Sequence, residues 1–375
     1  MTGLLFTATF FPLAGAAIRR LCGGGPRFLL GIGVTGVVLY IALLLRVPPQ
    51  PVLIAMAVAS IATLIFARRR DSEPEQPRSV FATMVTIAPI VALLFVTAIV
   101  PLADYDGRAF WVLKAKAIAS ERAVDGPFFS GERGHNPKNE YPLLIPLAAS
   151  AVMTATNSLD DFGIRWIYVL ALGSFALHAR RWIGVWPAAL IAWIPQFASH
   201  AAQTAYNDIF VAAFAAMAFF ELADRRSAVR FGLWISFLAL TKNEGLPFAL
   251  LLLVLGAVVW RREVLRGVAP FAVALLTLFV WRLRVEPTDD DPLVALLPTL
   301  GERLERLIPA VTEFAGRAFE FGRWGLFWFA VLAAAVMLVV RGRWREVALP
   351  SIVIAGMTAA YVAAYMVTPW RLTDH

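Results

Sequence analysis

The chain has 375 residues, of which 59% are hydrophobic and only 16% are charged, and this balance excludes an ordinary soluble domain. Its net charge of +8 is carried by short arginine clusters that separate long apolar runs. In a membrane protein such clusters set the orientation of the helices and contact lipid. The positive charge therefore does not indicate nucleic-acid binding. The single cysteine, Cys22, excludes an intrachain disulfide. The composition predicts an all-α, polytopic membrane protein.

The apolar runs predict about twelve transmembrane helices, with both termini on the external side. Glycine-rich and proline-rich turns separate the first three runs, and the basic linker 67–79 is expected in the cytoplasm. The run at 229–241 is short for a hydrocarbon core of about 30 Å. The predicted spans are 3–18, 28–45, 51–67, 80–101, 164–180, 184–199, 208–223, 229–241, 245–260, 266–284, 323–340 and 347–367.

The stretch 141–155 (YPLLIPLAASAVMTA) decides the orientation of everything after it. If it crossed the membrane, Arg180 and Arg181 would lie outside. Pro142, Pro146 and the short length favour instead a helix that lies in the interface or dips into it. All later arginine clusters then fall in the cytoplasm, as the positive-inside rule requires.

These assignments divide the chain into three parts. Residues 1–79 hold the first helices and the cytoplasmic linker, and residues 80–260 hold a module with the external loop 102–163. Residues 261–375 hold the last helices and a second external loop, 285–322. The first loop is the longest weakly hydrophobic interval and is far longer than a connector requires, so it predicts an active-site or binding loop with interfacial helices.

Ionisable groups from three separate stretches reach the same external face under this topology. Charged groups at membrane depth are costly unless they are paired or hydrated, so each is a candidate functional residue. They are Asp104, Asp106 and Lys114 in the first loop, Asp208 at the start of a helix, and Lys242 and Glu244 in the turn LTKNEGLP.

Each candidate also has an ordinary structural explanation. Asp208 is placed to cap its helix, Lys242 and Glu244 to form a local ion pair, and Lys114 to snorkel from an interfacial helix. His135, in the polar run GERGHNPKN, fits a solvated loop residue. No carboxylate-rich cage is apparent, so no metal ligand is assigned and a divalent cation stays open.

Taken together, these features resemble the GT-C glycosyltransferases, which use polyprenyl-phosphate sugars, and among them protein mannosyltransferases and the lipid A aminoarabinose transferase. An acid opens the first loop before FWVLKAKA, and Tyr141 begins YPLLIP. Arg165 ends an FGxR element, an acid follows in the second loop, and an LTKxxG turn comes next. Arg371 lies in TPWRLTDH, which is similar to that group's terminal external motif. The resemblance covers about 80–260 well and the remainder loosely.

The resemblance implies a catalytic role for Asp106, with Asp104 as an alternative, and a second acid at Asp208. It implies that Lys242 lies near the donor phosphate. The other candidate substrate-binding residues are Lys114, Glu244, Tyr141, Arg165, His135 and Arg371. The sequence departs from the paired Asp-Glu of protein mannosyltransferases, because Gly107 follows Asp106.

The implied activity is transfer of a sugar from a polyprenyl-phosphate donor at the external face of a bacterial-type inner membrane. Such a reaction needs a carboxylate to take the acceptor proton and cations to hold the leaving phosphate. The expected partners are the lipid-linked donor and membrane lipids, and the acceptor is not identified. Two other classes remain, a transporter or flippase of a polar or lipid-linked substrate, and a non-catalytic envelope assembly protein.

Overall fold

The computed structural model describes residues 2–68, 79–102, 104–131, 139–285 and 304–367. Within these ranges the backbone forms helices and turns, and no strand occurs. The first nine α-helices are α1 (Thr2–Cys22), α2 (Arg27–Leu44), α3 (Pro49–Phe66), α4 (Val80–Ile99), α5 (Leu113–Glu121), α6 (Leu144–Thr156), α7 (Asp161–Ile183), α8 (Val185–Ile191) and α9 (Pro195–Ser199). The remaining ones are α10 (Asp208–Ala223), α11 (Ala228–Ala239), α12 (Gly245–Trp260), α13 (Leu265–Arg282), α14 (Leu307–Ala318), α15 (Phe321–Trp324), α16 (Phe327–Val340) and α17 (Trp344–Val367).

Seven helical segments in the described part of the chain are long and apolar enough to cross a membrane. They are Thr2–Cys22, Arg27–Leu44, Pro49–Phe66, Val80–Ile99, Asp161–Ile183, Gly245–Arg282 and Trp344–Ala363. The chain is therefore a helical, multi-pass membrane protein. Several of the twelve predicted spans are shorter. Helix α11, for example, has 12 residues and a length of about 18 Å.

One end of the helix bundle collects several arginine side chains that lie far apart in the sequence. Arg180 donates to the Thr83 hydroxyl at 2.9 Å, which joins the end of α7 to the start of α4. Arg230, at the start of α11, donates to the Cys22 carbonyl at 3.1 Å, which joins it to the end of α1. The sequence prediction required six clusters to share one side, and Arg181 lies within electrostatic range of Arg19 and Arg226, which brings three of those clusters together. We call this end the arginine end, and it includes Arg19, Arg20, Arg180, Arg181, Arg226 and Arg230.

The opposite end, which we call the loop end, collects the turns that carry the candidate residues. The Leu144 amide donates to the Leu240 carbonyl at 3.0 Å, so the start of α6 meets the end of α11. Arg284 donates to the Leu44 carbonyl at 2.8 Å, so the end of α13 meets the end of α2.

Helix α6 forms a buried layer at the loop end. Its 13 residues start beside Leu240, and its last residue, Thr156, lines a cavity together with Gly3 and Gly163 at the starts of α1 and α7. Both ends thus lie at the same end of the bundle, while the sequence-based expectation that this helix does not cross the membrane stays a prediction. Its residues 144–153 are all buried, and it packs against α1, α2, α5 and α7. The sequence predicted that α6 lies at the membrane interface, whereas other helices cover it in the structure.

The predicted span 184–199 is wrong as a single helix. The segment consists of α8, an interruption at residues 192–194, α9 and a π-helical turn, His200–Thr204. Helix α8 has 7 residues and a length of only about 10 Å, so it cannot cross a membrane alone. The interruption follows from Pro195, which lacks an N–H donor and restricts Ile194 to the extended conformation it adopts.

Close packing of α1 against α2 depends on a glycine, and this gives a first prediction. A Cβ on Gly31 would lie 1.8 Å from the Phe11 carbonyl oxygen, so Gly31→Ala should force the helices apart. We expect a loss of about 1–3 kcal/mol, measured by unfolding the purified protein in detergent with SDS. Gly316→Ala in α14 is the matched control, because a Cβ there meets nothing within 4 Å. Equal stability of both variants would contradict the packing.

Candidate functional site

An ion cluster lies at the loop end, where α10 begins and α11 turns into α12. The Lys242 ammonium lies 3.0 Å from an Asp208 carboxylate oxygen and 3.5 Å from one of Glu244. The turn that holds Lys242 is tight, since a Cβ on Gly245 would lie 2.0 Å from the Leu238 carbonyl oxygen. Lys242 and Glu244, in the turn between α11 and α12, are thus held close to Asp208, the first residue of α10.

The charge of Lys242 is stabilised within this cluster. Its side chain is only 17% exposed, and burial acts to lower its pKa. The carboxylates of Asp208 and Glu244 outweigh burial and raise the pKa well above its usual value. Lys242 is therefore an ammonium group at neutral pH.

Tyr141 connects the ion cluster to Lys114. Burial and the Glu244 carboxylate raise the pKa of Tyr141, and Lys242 also lies within electrostatic range. The Lys114 ammonium lies 5.6 Å from the centre of the Tyr141 ring and 5.7 Å from that of Trp111. Lys114 is fully buried, so it does not snorkel to a surface as its sequence context allowed.

The two acids of the first loop differ in their contacts. Asp104 accepts a hydrogen bond from the Gly107 amide at 3.3 Å and another from the Tyr206 hydroxyl. Asp106 lies within electrostatic range of Tyr206 and is half-buried. In the part of the chain that the structure describes, the Asp106 carboxylate makes no hydrogen bond or ion pair. It is therefore the acid whose oxygens are available to a ligand.

Gly107 brings the first loop against the chain that precedes α10. A Cβ on Gly107 would lie 1.9 Å from the Thr204 carbonyl oxygen, so no side chain fits there. Each partner lies in a π-helical turn, Gly107–Val112 or His200–Thr204. Such turns are often found at functional sites. The close contact also gives a physical reason for the absence of the Asp-Glu pair, because a glutamate at this position would collide with the backbone.

His200 and Tyr206 join the first-loop acids to the ion cluster. Their rings lie 5.1 Å apart, edge to face. His200 lies within electrostatic range of Asp104, Asp208 and Lys242. Burial raises the pKa of Tyr206, as do its hydrogen bond to Asp104 and the neighbouring carboxylates. Neither residue was identified from the sequence, where the only signal was the polar interruption SHAAQTAYN before Asp208.

Among the predicted residues that the structure describes, Arg165 stands apart from this group. Arg165 is 1% exposed, and it donates to the carbonyls of Val100 and Ala202. It therefore ties the end of α4 to the π-helical turn and positions the site rather than lining it. His135 and Arg371 lie outside the described residues.

The arrangement supplies carboxylates, an ammonium group and a phenol within one region at the loop end. Among the residues that the structure describes, no group of three or more His, Cys, Asp or Glu side chains is placed to hold a metal ion. The carboxylates can act as general bases, and the ammonium and phenol groups can donate hydrogen bonds. The resemblance to GT-C glycosyltransferases stays a prediction from the sequence. Comparison with protein-family models, curated proteins and solved structures found no match.

Proposed function

We propose that the protein is a GT-C-like membrane glycosyltransferase, with about twelve crossings, that moves a sugar from a polyprenyl-phosphate donor. The single observation that carries the proposal is the grouping of Asp106, Asp208 and Lys242 at one end of the bundle, joined through His200 and Tyr206. These residues come from three distant stretches of the chain. A purely structural role for each would not require them to meet.

In the proposed reaction, Asp106 accepts the proton of the acceptor hydroxyl as its oxygen attacks the anomeric carbon of the donor sugar. The bond from that carbon to the phosphate oxygen breaks, and the lipid phosphate leaves with the electron pair. Asp104 is held by Gly107 and Tyr206, so we assign it a positioning role. Negative charge grows on the leaving phosphate and requires cationic donors.

Lys242 is the proposed donor to that phosphate. An ammonium group has three N–H donors. In the part of the chain that the structure describes, one of them bonds Asp208 at 3.0 Å, and Glu244 lies within ion-pair distance at 3.5 Å. A remaining N–H is the proposed donor to a phosphate oxygen, while Asp208 fixes the position of the amine. Lys114, linked through Tyr141, adds a second buried cation nearby.

The position of these groups also bears on the transporter alternative. Transporters bind their substrates near the middle of the bilayer, between paired halves. Asp208 is the first residue of α10, and Lys242 lies in a turn between two helices. Charges confined to the end of the bundle support a reaction at the membrane surface.

Removing Lys242 tests the proposed function directly. Lys242→Ala should weaken use of a polyprenyl-phosphate sugar by about 1.5–3 kcal/mol, since a charge-assisted hydrogen bond is lost, and Lys242→Arg should restore part of it. The measurement is the dependence of transfer on donor concentration. Lys116→Ala is a matched control, because Lys116 pairs instead with Asp161 at 2.5 Å. Unchanged donor kinetics in Lys242→Ala would leave this residue as a structural partner of the two acids.

The proposed orientation places the loop end outside the inner membrane. In a Cys22→Ser background, a single cysteine replacing the exposed Ser120 of the first loop should react with an impermeant maleimide in intact cells. A cysteine at Ser72, in the basic linker, should react only after permeabilisation. The reverse pattern would put the site in the cytoplasm and remove the proposed periplasmic reaction.

A further inference from the structure

A cavity of about 290 Å³ lies beside His200 of the candidate site, at the loop end. Its lining includes Gln196, Glu313, Arg317, Trp324, Trp328 and Tyr361. The Gln196 amide lies 2.6 Å from a ring nitrogen of His200, and Tyr361 lies within electrostatic range of Lys242. The cavity and the candidate site therefore share a wall. Its volume is at the lower end of the range for small-molecule sites, about 300–1,000 Å³.

The lining combines aromatic faces with hydrogen-bonding groups. The indole rings of Trp324 and Trp328 lie 5.9 Å apart at an angle of 65°. The indole nitrogen of Trp328 is buried, and it has no hydrogen-bond partner among the residues that the structure describes. A buried donor of this kind requires an acceptor, such as a hydroxyl oxygen. Aromatic faces that can contact C–H groups, with polar groups at their edges, suit a sugar ring.

The charges of the cavity favour a neutral ligand over an anionic one. Arg317 pairs with Glu313 at 2.6 Å, and Arg323 pairs with Glu320 at 2.5 Å. Each arginine is thus already balanced by a carboxylate, and a phosphate would find little uncompensated positive charge. The same paired groups can donate to and accept from hydroxyls.

We propose that this cavity binds a carbohydrate, and that the bound ring is the sugar of the acceptor. The role of the ring as acceptor rests on the proposed glycosyl transfer, whereas the binding of a sugar does not. The cavity would hold a saccharide acceptor against the wall formed by Gln196 and Tyr361, next to the proposed donor site. The acceptor class is then a glycan or a glycolipid rather than a protein side chain.

The test is saturation-transfer difference NMR on the purified protein in nanodiscs. The probes are the methyl glycosides of arabinose, galactose, glucose, mannose and N-acetylglucosamine. At least one should receive saturation at its ring C–H protons. Trp328→Phe keeps an aromatic ring but removes the N–H donor, so the affinity for the glycoside should fall about fivefold. Trp324→Ala should abolish the signal. Trp344→Phe is the control, because Trp344 is 57% exposed on α17 and should bind as the parent does.

Three results would overturn the proposal. They are the absence of any glycoside signal in the parent protein, an unchanged signal in Trp324→Ala, or displacement of the bound glycoside by inorganic phosphate. A positive transfer assay with no glycoside binding would defeat this inference and leave the proposed function intact. Glycoside binding that depends on Trp324 and Trp328, in a protein that transfers no sugar, would support the site and defeat the proposed reaction.

Discussion

Asp106→Asn should lower turnover by about 100-fold or more while leaving donor binding nearly unchanged. The amide keeps the shape of the side chain but cannot take the acceptor proton, and general-base catalysis contributes about 10²–10⁴-fold. The lipid phosphate would still contact Lys242, which Asp208 holds at 3.0 Å. The measurement requires a radiolabelled polyprenyl-phosphate sugar, with separate assays for binding and for transfer.

Asp104→Asn is the matched comparison, because the two acids lie two residues apart and Asp104 alone is hydrogen-bonded to other described residues. An amide at 104 can still accept from the Gly107 amide and from Tyr206, so turnover should fall less than in Asp106→Asn. If Asp106→Asn turned over at the parent rate while Asp104→Asn was inactive, the roles would be exchanged. If both remained active, the first loop would not supply the base.

The class of the protein and the two ends of its bundle could be predicted because they depend on local composition. Apolar runs closed by arginines predicted helices that cross a membrane, and Arg181 lies within electrostatic range of Arg19, Arg226 and Arg230 at one end of the bundle. The prediction missed the interruption before Pro195, although the proline itself signals it. The run 184–199 is mostly apolar, and hydropathy, on which the span was predicted, does not distinguish one helix from two short ones. The same limit applies to α6, whose burial depends on helices that lie elsewhere in the sequence.

The candidate site was predictable to the extent that its residues are charged. Asp106, Asp208, Lys242 and Glu244 stood out because ionisable groups are costly beside a membrane. The residues that join them did not, because their role depends on contacts between distant segments. Tyr206 bonds Asp104 where Gly107 packs against the Thr204 carbonyl, and both contacts join segments about 100 residues apart in the sequence. In the sequence, Gly107 stood where protein mannosyltransferases have a glutamate. In the structure, its contact with the Thr204 carbonyl leaves no room for a side chain.

A second large effect is expected far from the site, at the arginine end. Glu221 of α10 and Arg230 of α11 form a bidentate pair with N–O distances of 2.7 and 2.9 Å, and their side chains are 2% and 8% exposed. Removing one partner leaves a buried charge without compensation, so Arg230→Met should cost about 3–5 kcal/mol of unfolding free energy. The double variant Glu221→Leu/Arg230→Met should recover most of this loss, because neither charge remains buried.

The Glu221–Arg230 pair affects function because it closes the hairpin of α10 and α11. Helix α10 begins at Asp208, and α11 ends just before Lys242, so the ion pair at one end sets the distance between the two site residues at the other. Arg230→Met should therefore lower transfer as well as stability, and the double variant should recover both. The control is Arg343→Met, which removes an exposed pair with Glu346 and should change neither quantity. A double variant as unstable as the single one would mean that the pair itself, rather than the cost of an unmatched charge, holds α10 against α11.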